Sequence, residues 1–453
     1  MTHLAVIDTA RPPARPPLRT EPPHALLAAV TDDAARLGST VNLAAFENVL
    51  SRTARAQLAG PLADRYLIGQ EHERGLRHPL VRAGLLSAGY PGVDRLESAA
   101  VDTLTGLLGA GWADFRPLSG LHATTCTFAL LTEPGELVYS IAPDNGGHFA
   151  TRPLLHSLGR RCAYLPWDAA AGTVDLAGLA AAWRSDPGAM VFLDHGVPLV
   201  PLPVAGLRAV TGTGPLLVYD ASHTLGLIVG GAFQDPLGEG CDIVQGNTHK
   251  SFPGAHKGVI VFADAEAGRR FSERMGGALV SSQQTGATLA NYVTALEMGV
   301  HAPAYARQML ANRAALAYAL REAGFAVHRP AGADAESRSH VLLVDGAGDR
   351  FGYELADDLV RAGIVLNARP VEGRIRLRLG VQEVTRRGMR QREMERLADL
   401  MARAARGRLP GRGRKAVTVR VRTLAETFGR VHYAFDDIHE SHGTTHDGTE
   451  AAP

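Results

Sequence analysis

The chain has 453 residues, with 47 Lys and Arg against 46 Asp and Glu, a formal net charge of +1. That length suits a large catalytic domain followed by a smaller one, and the near-neutral balance carries no footprint of nucleic acid or of a membrane surface. Apolar runs are broken by Gly, Pro or charge well short of the roughly 20 residues a membrane span needs. The three cysteines, Cys126, Cys162 and Cys241, have no CxxC spacing, so neither a disulfide framework nor a zinc site is indicated. A reducing cytoplasm is the simplest home.

Residues 1–40 read as a Pro-rich arm, without the apolar core of a signal peptide, followed by a helix over 24–38. A large domain is expected over 41–300. In it, helical spacing at 99–111 and 175–184 alternates with short apolar strands at 136–142, 189–194, 215–220 and 257–262. Continuous β-branched strands between helices predict an α/β doubly wound, mostly parallel sheet. An Ala- and Leu-rich helix over 288–323 leads into a smaller α+β domain over 301–405, with strands at 340–346 and 374–380 and helices at 353–363 and 392–405. From 406 to 453 a basic stretch and a His- and acid-rich end read as a disordered tail. Its histidines, including those of HESH, lack the HExxH spacing and the helix that a zinc site would need.

The chain contains only three lysines, Lys250, Lys257 and Lys415. Where arginine carries nearly all positive charge, a lysine marks a position that only an amine can serve, because a Lys amine can lose its proton and attack a carbonyl. Ligands of open α/β sheets sit beyond the carboxyl ends of the strands. There the strand PLLVYD ends in Asp220, followed by His223, and CDIVQGNTHK ends in His249 and Lys250. Pyridoxal 5′-phosphate (PLP) chemistry needs a lysine to hold the aldehyde as a Schiff base and a carboxylate to keep the pyridine nitrogen protonated. Lys250 and Asp220 supply that pair, and His223 can touch the phenolic oxygen. On spacing alone, a helix-capping Asp220 and a surface Lys250 stand equally open.

YDASHTLGLIVGG and GNTHKSFPGAHKGVIVF resemble the cofactor segments of serine hydroxymethyltransferase, a fold-type I PLP enzyme, and the likeness runs from VNLAAFEN (41–48) to LRLGVQEVTRRG (377–388). The resemblance implies the fold-type I architecture and a homodimer with shared active sites. By the same resemblance, RPLSGLHA is the phosphate loop, with Ser119 and Gly120 as contacts, although Leu121 and His122 stand where the family has Ser and Gln. DNGGHF makes His148 the ring stacked on the cofactor; alone, a structural histidine would be the simpler reading. Thr248 and His249 flank the lysine. Arg378 corresponds to the arginine that holds the substrate carboxylate, with Arg376 as the fallback. Tyr66, Thr285 and Gly286 correspond to residues that cross to a neighbouring subunit. Glu47 is retained as an acid or base.

The departures from the family gather around folate. Ile68 stands where the family has a glutamate serving the one-carbon step, with Glu71 or Glu73 as substitutes if the spacing has shifted. The Tyr-Tyr-Gly-Gly stretch is absent, the loop before Arg378 is cut to NARPVEGR, and His256 replaces an arginine. The chain is therefore most similar to the threonine transaldolase branch. That resemblance implies release of acetaldehyde from L-threonine and addition of the glycyl carbanion to an acceptor aldehyde. The product is a β-hydroxy-α-amino acid of specialised metabolism, of the kind found in antibiotic pathways. A nucleoside aldehyde such as uridine-5′-aldehyde fits the branch, as do aryl or halogenated aldehydes. A folate-dependent serine or α-methylserine hydroxymethyltransferase, a threonine aldolase and a non-catalytic binding protein are the alternatives. Glu47, His148 and His249 are candidate bases.

Overall fold

The structure is a computed structural model, and it describes residues 21–70, 80–82, 85–87, 89–330, 337–406 and 411–435. Glu71, Glu73 and the histidines 439, 442 and 446 lie outside the described residues.

The large sheet has seven strands: β1 (Trp112–Asp114), β2 (Leu137–Ser140), β3 (Arg161–Tyr164), β4 (Met190–Leu193), β5 (Leu216–Asp220), β6 (Ile243–Asn247) and β7 (Gly258–Phe262), in the order β1-β7-β6-β5-β4-β2-β3. Strands β2, β4 and β7 are buried at every position, which is why they read as unbroken apolar runs rather than alternating ones. The sheet is mostly parallel, with one exception. β7 runs antiparallel to both β6 and β1. The ten-residue connection from Thr248 to Lys257 explains this: a parallel return would need a crossover of a dozen or more residues, and this loop returns directly.

Helices α1 (Pro23–Leu37), α2 (Pro91–Leu108), α4 (Leu176–Ser185) and α5 (Thr285–Glu322) overlap the expected positions, and α3 (Gly120–Leu131) is an addition to them. Helix α1 buries none of its residues. Helix α5 runs unbroken through residue 300, so the expected boundary falls inside one element. A second, antiparallel sheet follows: β8 (Phe325–Val327), β9 (Val341–Ala347), β10 (Asn367–Val371) and β11 (Arg374–Gly380), in the order β8-β9-β11-β10. Helix α6 (Gly352–Arg361) packs on it, and α7 (Gln391–Ala405) packs against α5 and α6. The segment Val41–Asn42 pairs with Ile364–Val365, so the start of the expected large domain is stitched to the C-terminal half.

The tail needs correcting. A helix, α8 (Gly411–Thr427), occupies much of the region expected to be disordered. Val417, Val421, Leu424 and Ala425 are buried on one side of it, at the spacing of a helix face. Its basic composition hid that stripe. Among the described residues no helix is long and apolar enough to cross a membrane.

Candidate active site

A cavity of about 320 Å³ opens at the carboxyl ends of the central strands, walled by Lys250, Asp220, His223, His148, Gly120 and Arg378, among others. Asp220 closes β5, and Lys250 lies just past β6, the neighbouring parallel strand. Pairing places the two strand ends side by side, so residues thirty apart in sequence share one wall.

Lys250 Nζ lies 3.3 Å from Nε2 of His223, whose Nδ1 is 3.2 Å from the Ala45 carbonyl. Burial pushes the Lys250 amine down to about 8, with Asp220 opposing and Arg378 adding to the shift. Such an amine reaches its neutral, nucleophilic form far more readily than a surface lysine. His223 is held well below its ordinary value, by burial first and then by the Lys250 and Arg378 charges. It is therefore a neutral ring. Asp220 accepts the backbone N–H of Ser222 at 2.9 Å and Gln245 Nε2 at 3.3 Å.

The opposite end of the cavity meets the N-terminus of α3. Ser119 is the N-cap, and its Oγ accepts the His122 N–H at 3.0 Å. Gly120 donates to Asn247 Oδ1 at 3.0 Å, and a Cβ there would lie 2.5 Å from that side chain, so only glycine fits. A helix N-terminus approached this closely is suited to a phosphate. His148 is exposed at the cavity and stacks on Phe149, with ring centroids 4.7 Å apart. Burial lowers its pKa, against the pull of Asp220.

Arg378 lies on β11, 6% exposed, with Nη1 on the Gly196 carbonyl at 2.7 Å and Nε on Asn367 Oδ1 at 3.2 Å. Arg376 makes a different set of contacts. It is held by Asp345 at 2.7 Å and Glu372 at 2.6 Å, and it is not part of the cavity wall. Of the two arginines, only Arg378 faces the site.

Several expected residues stand apart. Thr248 is buried and donates to the Ala255 carbonyl at 2.6 Å, shaping the turn after β6. His249 stacks on His256, centroids 3.7 Å apart, rather than walling the cavity. Burial, then the charges of His256 and Lys250, push it down to about 3. Glu47 accepts Asn42 Nδ2 at 2.7 Å, one residue from the wall residue Phe46. Tyr66, 65% exposed, lies off this cavity, as do Thr285 and Gly286, which are buried within the chain, where Thr285 Oγ1 donates to the Arg65 carbonyl beside Tyr66. Lys257, the second scarce lysine, is fully buried, and its ammonium holds the carbonyls of Arg116 and Gln283.

Other wall residues were not foreseen: Asn247, Ser222, Asp194, His195 and Arg369. Asp194 follows β4 as Asp220 closes β5, so the same strand-end signal marked it. Its carboxylate accepts the backbone N–H of Ile141 and of His148, both at 3.2 Å, and the Thr151 hydroxyl at 2.5 Å. It thereby pins the loop that carries His148.

The serine hydroxymethyltransferase family model matches residues 202–401. Over 418 residues the chain is 33% identical to the serine hydroxymethyltransferase of Pyrococcus abyssi, covering 88% of this chain and 93% of that one. The chain belongs to the serine hydroxymethyltransferase family. It is thus a fold-type I enzyme whose cofactor is pyridoxal 5′-phosphate. Within this family it is 39% identical, over 379 residues, to the fluorothreonine transaldolase of Streptantibioticus cattleyicolor. That match covers 82% of this chain, which spans 58% of the length of that relative. Among solved structures, an L-threonine transaldolase from Pseudomonas fluorescens superimposes with a TM-score of 0.81 at 28% identity, covering 92% of this chain and 94% of that one. The residues in hand fit the family's cofactor: a buried amine, a carboxylate on the adjacent strand end and a helix N-terminus face one cavity.

Proposed function

We propose that the enzyme is an L-threonine:aldehyde transaldolase, which breaks the Cα–Cβ bond of threonine, releases acetaldehyde and joins the glycyl unit to an acceptor aldehyde. The observation that carries this reading is Ile68. A folate-linked one-carbon step needs a proton-transferring side chain where this apolar one stands, while Cα–Cβ cleavage with a free aldehyde does not. Similarity to two threonine transaldolases supports it. The acceptor is open to a nucleoside aldehyde such as uridine-5′-aldehyde or to smaller aldehydes, for a product of specialised metabolism.

Pyridoxal phosphate, when bound, withdraws electrons from the donor's Cα. The protein's own residues divide the remaining work. Lys250 would hold the cofactor, Asp220 would keep a proton on its ring nitrogen, and His148 would be the ring stacked on it. Ser119 and Gly120 hold phosphate. His223 positions the Lys250 amine and would touch the cofactor's ring oxygen, while Thr248 fixes the turn on which the lysine sits. Arg378 grips the donor carboxylate with its planar fork. Glu47, His148 and His249 are the candidate bases; of these, His148 is the one at the cavity wall. By the family resemblance, Tyr66, Thr285 and Gly286 would serve the partner's site in a homodimer; of the three, Tyr66 is the exposed one.

The test is a folate-free incubation of holoenzyme with L-threonine and an aryl aldehyde. Acetaldehyde and a β-hydroxy amino acid should form together. Strict dependence on tetrahydrofolate would sink the reading, and free glycine at full rate without acceptor would make the enzyme an aldolase.

A further inference from the structure

Two guanidinium groups meet beside Gly196. A Cβ placed on that glycine would lie 3.1 Å from Nη1 of Arg369 and 3.8 Å from Nη1 of Arg378. Both arginines wall the cavity, and no described carboxylate pairs with either. Arg369 reaches only the carbonyls of Pro143 at 3.4 Å and Gly147 at 3.3 Å, long contacts for a charged donor.

The cavity's charges do not balance through its own residues. Lys250, Arg369 and Arg378 stand against Asp220 and against Asp194, whose carboxyl burial pushes up to about 7. Asp194 is taken up by Thr151 and two backbone N–H groups, and Asp220 by Ser222 and Gln245. Two neighbouring cations in a largely desolvated wall are costly unless each meets an anion. Their mutual cost is visible on Arg378, which burial, and then the Arg369 charge, push down to about 9. Threonine brings a single carboxylate, which Arg378 takes. The cofactor phosphate belongs at the other end, by Ser119 and Gly120. One guanidinium is left, and the other substrate must answer it. His195, 7% exposed, stands at the same wall.

We infer that Arg369 is an acceptor-specificity residue: it binds an anionic group, carboxylate or phosphate, that the acceptor aldehyde carries a few atoms from its carbonyl. The inference rests on the transaldolase reading and narrows its acceptor. No bond at Arg369 forms or breaks; it aligns the aldehyde for attack and lowers the KM of the acceptor.

The experiment compares kcat/KM of the holoenzyme, with saturating L-threonine, for matched acceptors. Succinic semialdehyde is set against its methyl ester, and glycolaldehyde phosphate against glycolaldehyde. At least one anionic member should exceed its neutral partner tenfold or more, and the favoured pair tells carboxylate from phosphate. In Arg369→Met the ratio should fall to near one, while Arg369→Lys should keep it above one. Wild-type ratios at or below one overturn the inference, even if Arg369→Met does not fold. So does a neutral nucleoside aldehyde that outruns both anions, or an Arg369→Met variant that loses both members of a pair equally or raises the KM for threonine. Product from neutral acceptors alone defeats this inference and leaves the transaldolase reading standing; no product from any aldehyde defeats both.

Discussion

The amine of Lys250 lies 3.3 Å from Nε2 of His223, and the same ring's Nδ1 lies 3.2 Å from the carbonyl of Ala45. A carbonyl only accepts, so Nδ1 carries the proton and Nε2 presents a lone pair to the lysine. His223 thus ties the reactive amine to the segment that also supplies Phe46 and Glu47. Replacing it with Ala should leave the visible absorbance of bound cofactor in place and lower kcat by about 10²-fold, the lower range for loss of one oriented polar group. An unchanged kcat would remove His223 from the site.

The lowered pKa of Lys250 sets a pH profile. An amine is nucleophilic only when neutral, and burial brings its pKa from 10.5 to about 8. Well below pH 8 its neutral fraction is roughly 300 times that of an ordinary lysine. Reconstitution of apoenzyme with pyridoxal phosphate, followed by the visible absorbance it generates, should therefore accelerate with pH up to about 8 and then level. A rate still climbing at pH 10 contradicts the buried environment. Lys250→Ala should give no such absorbance at any pH.

Arg378 and Arg376 separate donor binding from stability. Arg378→Lys keeps the charge but loses the fork, and should raise the KM for L-threonine about 10- to 100-fold, or ~1.4 to 2.7 kcal/mol. Arg376→Met leaves Asp345 and Glu372 without their cation. Both carboxylates keep some solvent exposure, so the cost is about 1–2 kcal/mol, read as a lower Tm with KM unchanged. A KM effect at Arg376 would restore it to the site.

Much of this site was legible because strand ends in a parallel sheet are where such sites form. Asp220, His223 and Lys250 follow from that rule, and the scarcity of lysine sharpened it. Two of the three lysines do occupy special positions, Lys250 at the cavity and Lys257 fully buried, while Lys415 is exposed on α8. The same rule would have found Asp194. Arg369 was out of reach, because its significance depends on its meeting Arg378 beside Gly196, a residue far away in sequence. The direction of β7 was hidden too, since a strand buried on both faces reads alike whichever way it runs.

Asp194 offers a second titration. Burial raises its carboxyl from 3.8 to about 7, against its hydrogen bonds from Thr151, His148 and Ile141. Between those values the folded chain holds a proton that the unfolded chain has released, so this group's contribution to stability declines as pH rises from about 4 to 7. Asp194→Asn should flatten that part of the Tm-against-pH curve. Asp194→Ala strands three donors and frees the His148 loop. It should cost about 2–4 kcal/mol and lower kcat at least tenfold, with partial recovery in the Asn variant. Parallel wild-type and Asn curves would show that the carboxyl is ionised throughout.

Helix α8 decides whether the C-terminal segment belongs to the folded enzyme. A Cβ on Gly363 would lie 3.3 Å from the Val421 side chain, so the helix packs against the turn just before Ile364, whose strand pairs with Val41. Beyond it, the Tyr433 carbonyl accepts from Arg386, and the Phe435 N–H donates to Glu297 at 3.3 Å. Arg386 and Glu297 are themselves a fully buried ion pair at 3.1 Å. Val421→Ala should cost about 2 kcal/mol through lost burial and the cavity left behind. Truncation after Arg406 should cost more, because it also strips partners from that buried pair, where each unsatisfied group is worth ~1–3 kcal/mol. Thermal melts of the holoenzyme check both. A solvated tail predicts no change in Tm on truncation, whereas the packed helix predicts a fall of about 2 °C for Val421→Ala and a larger one for the truncated chain.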